Sequence, residues 1–185
     1  MSSIRIEGYA VVSEDGMIAD ATGHIPKDLI ADADQRFFER SLNSVDALVH
    51  GRNSAEHFAN SPSRHRIVVT HRVAAIESDP TNACAVLWNP ADALFEKAVA
   101  ALSVPIHSAA ILGGTDVFGI FLDRFDVFFL SRIAGIRLRG GRPVFPQVPA
   151  ETPENVLAAH GLRDKKSELS DPAARLIISR WERSA

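Results

Sequence analysis

A single cysteine, Cys84, in 185 residues leaves no partner for an intramolecular disulfide and suits a reducing compartment. Its ordinary role is that of a small hydrophobe in a strand. No apolar run approaches the ~20 residues needed to cross a bilayer. The opening Met1-Ser2-Ser3-Ile4-Arg5-Ile6-Glu7 has neither the basic start nor the apolar run of a secretory signal. The expectation is a cytoplasmic chain without membrane association. A formal charge of −3 provides no broad cationic surface for nucleic acid, although it leaves room for a local patch that holds one phosphate. The histidines form no His-x-x-x-His pair and Cys84 has no neighbouring cysteine, so no metal site is expected. The G-x-S-x-G elbow of serine hydrolases is missing, as are G-x-G-x-x-G and the Walker loop. A common dinucleotide-binding Rossmann domain is thereby disfavoured.

What is present is 46% hydrophobic residues, enough for one core without staples, and no linker, repeat or low-complexity tract. One domain over 1–185 is expected. Residues 4–12 alternate as a strand, followed by a turn at Ser13-Glu14-Asp15-Gly16. Pro26 suits the first position of a helix running to about Leu42, with Leu29, Ile30, Ala33, Phe37 and Phe38 as its apolar face. Strands are predicted at 45–50, 66–70, 84–87, 106–112 and 125–133. Helices are predicted from Asn53 (with Glu56 as a capping pair), over 90–102, and from Thr115 to about Leu122. Two late segments, 155–164 and 172–182, read as a hairpin-like pair. Strands alternating with helices predict an α/β fold, a mostly parallel sheet covered on both faces, with an antiparallel edge at the end. Trp88 and Trp181 are expected to pack in the core or at an interface.

Two strand–glycine–helix junctions stand out, His50-Gly51-Arg52-Asn53-Ser54 and Leu112-Gly113-Gly114-Thr115. Such a turn places free backbone N–H groups beside a phosphate, although either one alone is also an ordinary tight turn. Thr70-His71-Arg72, directly after a strand, is either a solvated basic loop or a reader of a second phosphate.

In this order the segments resemble the dihydrofolate reductase superfamily, and within it the pyrimidine reductase domain of riboflavin biosynthesis. The similarity runs through Ala10–Ala19, Asp46–Glu56, Arg66–Arg72, Ala110–Phe118 and Phe125–Ile133. The Gly113-Gly114 segment followed by Phe128-Phe129-Leu130-Ser131-Arg132 is its most specific part. The resemblance implies a dihydrofolate-reductase-like fold, NADPH as cofactor and a small heterocyclic substrate. It places the cofactor against Ala10, Ile18, Gly51, Arg52, Asn53, Ser54, Thr70, His71, Arg72, Leu112, Gly113, Gly114, Thr115, Asp116 and Val117. The riboflavin-type reductases commonly pair, so the resemblance also allows a homodimer.

The implied chemistry is hydride transfer to a C=N carbon with a proton delivered to the nitrogen, for which a carboxyl group in an apolar cleft is suited. Ile25-Pro26-Lys27-Asp28 resembles the family's Leu-Pro-x-Asp, which makes Asp28 the expected acid, with Asp32 as alternate and Ser131 as the hydroxyl facing the substrate. On a continuous helix, Asp28, Asp32, Gln35 and Glu39 share one side, which is either a solvated face or the wall of the cleft. The tryptophan that usually precedes the family's acid is missing. Polar residues at 28 and 32 and the Gly140-Gly141-Arg142-Pro143-Val144-Phe145 loop lean toward a sugar-bearing pyrimidine, a 5-amino-6-(5-phosphoribosylamino)uracil, as substrate. Arg64 leans the other way: it stands where folate enzymes keep an arginine for the glutamate carboxylate, and it is otherwise an exposed loop residue. Dihydrofolate reduction, a non-catalytic nucleotide-binding protein of the same fold, and nucleotide or nucleic-acid binding by an α/β domain are the competing readings.

Overall fold

The alternating segment at the start forms β1 (Arg5–Val12), and a turn at Gly16 leads to the short β2 (Met17–Ala19). The computed structural model describes residues 4–184. Next come α1 (Asp32–Leu42), β3 (Ala47–Gly51), β4 (His65–Val69), β5 (Ile76–Ser78), β6 (Ala85–Trp88) and α2 (Phe95–Ala101). The chain continues through β7 (Ser108–Ile111), α3 (Thr115–Phe121), β8 (Val127–Ile133), β9 (Arg142–Pro143), α4 (Pro153–Ala159), β10 (Leu162–Asp171) and β11 (Leu176–Arg183).

Nine strands form one sheet in the order β10-β11-β8-β1-β7-β3-β4-β6-β5. The pairings from β8 through β6 are parallel, whereas β10, β11 and β5 add antiparallel edges. β7 lies near the middle with Ala109, Ala110 and Ile111 fully covered, as its unbroken apolar run requires. This is the expected α/β architecture, a mostly parallel sheet with antiparallel edges.

The period of two along each strand sorts side chains to two faces. Ile6 and Val12 of β1, and Phe128 and Leu130 of β8, pack with α2, α3 and α4. Phe118, Phe121, Phe125, Phe128 and Phe145 are all buried on that side. Each contributes roughly 1.5–3 kcal/mol on burial, so this face is the main source of stability. Tyr9, Val11, Phe129 and Ile133 turn to the other face and pack with α1. Among the described residues α1 is the one α-helix on that face, and part of the face is left open as a cleft.

Several local expectations are corrected. The helix predicted from Pro26 is broken: Lys27–Leu29 is a single 3-10 turn, Ile30 and Ala31 are extended, and α1 starts at Asp32. No helix forms at Asn53–Glu56, because Glu56 is drawn inward to ion pairs instead of capping. α2 begins only at Phe95, since Asn89 accepts the Ala91 N–H and bonds Asp92 in a local turn. The stretch expected to start the late hairpin is α4, with Pro153 at its first turn and Thr152 as its cap. The hairpin itself is β10–β11.

Candidate active site

The parallel strands β1, β3, β4 and β7 end together, and the loops leaving their carboxyl ends enclose a cleft of about 750 Å³, the usual position for a ligand in an open α/β sheet. Both glycine turns face it. The Gly51 N–H donates to the Gly113 carbonyl at 2.7 Å, which joins the two turns back to back. Gly113 has φ +89°, and a Cβ there would lie 2.5 Å from Phe118, so only glycine fits; it backs the turn and does not line the cleft. Gly114, joined to it by a cis peptide, is different. A Cβ on Gly114 would meet nothing closer than Ser54 Oγ at 3.6 Å and Ile18 Cδ1 at 3.9 Å, so it would enter open cleft.

The structure brings most of the expected cofactor residues to this one space. Gly51, Arg52, Asn53 and Ser54 line it from the first turn. Leu112, Gly114, Thr115, Asp116 and Val117 do so from the second. Ala10 and Ile18 close it from β1 and β2, and Thr70 and His71 from the end of β4. Arg72 lies just outside, exposed, with its N–H on Thr70 Oγ1 at 3.2 Å. The His71 ring is held through Nδ1 to Asn89 Oδ1 at 3.1 Å. Thr115 Oγ1 donates to the Pro143 carbonyl at 2.5 Å, which ties the β9 segment, and β2 paired with it, to the Gly113-Gly114 turn.

Asp28 and Asp32 are both exposed and neither lines the cleft. The break after Leu29 removes the continuous helix on which their shared side was reckoned. The buried carboxylate that α1 brings to the cleft is Asp34, 6% exposed and in the first turn of that helix. It lies three and four residues before Phe37 and Phe38, on the helix side that meets the sheet. Facing it from β8 is Ser131, 4% exposed, on the same sheet face as Phe129. Burial pushes the Asp34 carboxyl above its ordinary value, and a hydrogen bond from Ser131 offsets part of the rise. The walls around this pair are Leu29, Phe37, Phe38, Phe58, Phe129 and Tyr9. Tyr9 and Phe129 stack at 5.0 Å, with Phe37 edge-on to Phe129 at 5.2 Å. Sequence reasoning missed Asp34, although a lone acid spaced i, i+3, i+4 with two phenylalanines was a signal for it.

A second polar cluster borders the cleft. Glu56, 7% exposed, forms an ion pair through Oε1 with Arg64 Nη1 at 3.0 Å; the same oxygen accepts Arg66 Nη2 at 3.2 Å, and Oε2 accepts the Phe58 N–H at 2.9 Å. Burial alone would raise this carboxyl, but the Phe58 N–H, Ser61 and Arg64 together hold it below the usual range. Arg64 is thus an internal ion-pair partner rather than a free loop residue. Among the described residues no group of three potential metal ligands occurs, and no helix is long and apolar enough to cross a membrane.

No protein-family model matches the chain, and no curated protein matches it in sequence. Solved structures do. A protein from Shewanella sp. PV-4 assigned to riboflavin biosynthesis is 20% identical, with a TM-score of 0.66 over 98% of this chain and 100% of that one. A diaminohydroxyphosphoribosylaminopyrimidine deaminase/5-amino-6-(5-phosphoribosylamino)uracil reductase from Thermotoga maritima is 17% identical, with a TM-score of 0.67; the match covers 98% of this chain but 57% of that one. The dihydrofolate reductase of Enterococcus faecalis, solved with NADP(H) and RAB-propyl, is 17% identical, with a TM-score of 0.65 over 98% and 97%. At these identities the likeness is one of fold: the chain has the dihydrofolate-reductase architecture.

Proposed function

We propose that this chain is an NADPH-dependent reductase of a planar nitrogen heterocycle carrying a C=N bond. The observation behind the reading is that a buried carboxyl, Asp34 with Ser131, opens onto the same cleft as the two glycine turns. The fold relatives include reductases, one of them solved with NADP(H).

The residues present fit the dinucleotide. The space over Gly114 that a Cβ would enter suits close approach of a pyrophosphate or ribose to backbone. Ser54, Asn53 and Arg52 would hold that part, and Thr70, His71 and Arg72 the adenosine end with its extra phosphate. When bound, NADPH supplies the hydride from its nicotinamide ring. The chain's own residues supply the rest. Asp34, favoured in its neutral form by burial, holds the proton that the ring nitrogen needs and hydrogen-bonds the substrate's N–H edge. Ser131 donates to the carboxylate once that proton has left. Phe37, Phe38, Phe58 and Phe129 exclude water and stack the flat ring.

Two ring systems suit an acid at the floor of such a cleft. The sequence leaned toward the phosphoribosylaminouracil, on the strength of polar residues at 28 and 32. Those residues face solvent, and the aromatic walls favour a dihydropterin ring. The deciding experiment follows NADPH oxidation with 6-methyl-7,8-dihydropterin, dihydrofolate and the phosphoribosylaminouracil in turn. Turnover of a dihydropterin is the expected result. Turnover of the uracil alone would restore the riboflavin-type reading, and cofactor binding without turnover of any would leave a nucleotide-binding protein of this fold.

A further inference from the structure

We infer that Phe58, with the Glu56–Arg64 ion pair behind it, closes the substrate end of the cleft against an anionic side chain, so that the heterocycle reduced here carries a short, uncharged substituent. This rests on the reductase reading above and narrows its substrate class.

The positions of the cations carry the inference. Arg64 does not line the cleft; it lines a separate cavity of about 220 Å³ at the amino ends of β3 and β4. Its side chain is 9% exposed, with Nη1 3.0 Å from Glu56 Oε1 and Nη2 donating to Asn43 Oδ1 at 2.7 Å. Its guanidinium carbon lies 5.8 Å from the centre of the Phe58 ring. Phe58 itself lines the cleft and meets Phe38 edge-on at 5.8 Å, which closes the wall on that side. One carboxylate sets both parts of the closure, because Glu56 binds the Phe58 N–H as well as the arginine.

Neither cation of the cluster lines the cleft. Turning Arg64 toward the cleft would break its pair and leave a buried charge on Glu56 less compensated. Arg66, 6% exposed, is fixed by the same oxygen and by the Ser61 carbonyl. Glu56 also lines the cleft, but its charge is already met by the two arginines and the Phe58 N–H, so the wall offers an anionic tail no free cation. The remaining basic side chains on the lining are elsewhere or in water. Arg52 and His71 belong to the cofactor turns, and Arg142 stands across the mouth, against Gly23. His57 is exposed, where attraction to a carboxylate is screened.

The test compares three ligands that share one ring: 6-methyl-7,8-dihydropterin, dihydrofolate, and dihydrofolate with both carboxylates esterified. Affinity for the NADPH-loaded protein and kcat/KM are measured for each. The methylpterin is expected to surpass both folates by tenfold or more, and the folate and its diester to agree within about threefold. Phe58→Ala should narrow the gap between methylpterin and folate by tenfold. Arg64→Gln should leave the folate-to-diester ratio unchanged. A folate favoured tenfold over its diester, with the advantage lost in Arg64→Gln, would overturn the inference while leaving the reductase reading intact. Equal use of all three ligands by the wild type would also overturn it, since no wall would then be felt. Failure of every dihydropterin to bind or turn over would remove the substrate reading and the inference together.

Discussion

Arg66 directs Nη1 at the Nε2 of His50, 3.3 Å away, between the neighbouring strands β4 and β3. A guanidinium has only donors, so Nε2 must offer a lone pair and the imidazole proton must sit on Nδ1. Nδ1 lies 2.9 Å from the Gly51 carbonyl, which accepts it. His50 is therefore a neutral strut that connects the buried arginine to the first glycine turn. Burial, followed by the charge of Arg66, holds its pKa below the ordinary 6.5, with the Gly51 bond acting in the opposite direction.

The consequence is a loss of stability on the acid side. Below pH 6.5 the unfolded chain takes up a proton at this histidine that the folded chain refuses, down to the folded value. Stability then falls by at most ~1.4 kcal/mol per pH unit for one such group. Denaturant unfolding between pH 8 and pH 5 should show this slope for the wild type and a smaller one for His50→Gln. Identical slopes would mean that His50 does not carry the effect.

Gly114→Val should abolish NADPH binding in a protein that remains folded. The added side chain enters the cleft, with 3.6 Å to Ser54 Oγ and 3.9 Å to Ile18 Cδ1 at its Cβ. The neighbouring Gly113 is the wrong residue for this test, because a Cβ there strikes Phe118 at 2.5 Å and would disturb the core first. Fluorescence titration with NADPH, beside a thermal melt, separates the two cases. Wild-type affinity in Gly114→Val would remove this turn from the site.

NADPH should be preferred over NADH through the loop after β4. His71 lines the cleft and Arg72 stands beside it, exposed and free to swing onto a phosphate. Loss of a charged hydrogen bond costs about 1.5–3 kcal/mol, so Arg72→Ala should weaken NADPH roughly ten- to a hundredfold. NADH affinity should hardly change. Equal losses for both cofactors would show that Arg72 does not read the 2′-phosphate.

The sheet was legible because its signals are local. Period-two alternation in Arg5–Val12, the unbroken apolar Ala109-Ala110-Ile111 and the glycine turns after β3 and β7 each declare themselves within a few residues. The acid was not legible in the same way. The match of Ile25-Pro26-Lys27-Asp28 to the family's acid pointed to Asp28, and it assumed one helix from Pro26. Ile30 and Ala31 are extended, so Asp28 sits on a separate 3-10 turn, while Asp34 shares the inward side of α1 with Phe37 and Phe38 by its spacing alone. Glu56 was misread for a related reason. A capping pair is a local pattern, whereas its partners Arg64 and Arg66 arrive from eight and ten residues further along.

Asp34 is the residue on which the chemical reading stands, and it makes two linked predictions. Its folded pKa is raised by burial, so above the ordinary 3.8 the unfolded chain loses a proton that the folded chain still keeps. Stability should fall as pH rises through that window and remain lower above it. Asp34→Asn, which cannot ionise, should escape that loss and be at least as stable as the wild type at pH 7. Its turnover should fall by a factor of ~10²–10⁴, the usual contribution of a positioned acid, with NADPH affinity retained. The wild-type rate should decline as pH rises through the folded pKa of Asp34. Because the Ser131 hydrogen bond lowers that pKa, Ser131→Ala should move the decline to higher pH. Asp28→Asn and Asp32→Asn, both on exposed side chains, should shift neither the rate nor its pH profile appreciably. The measurements are pH–rate profiles and melts of the four variants beside wild type. Full turnover in Asp34→Asn, or a rate that collapses instead in Asp28→Asn, would take the acid's role away from Asp34.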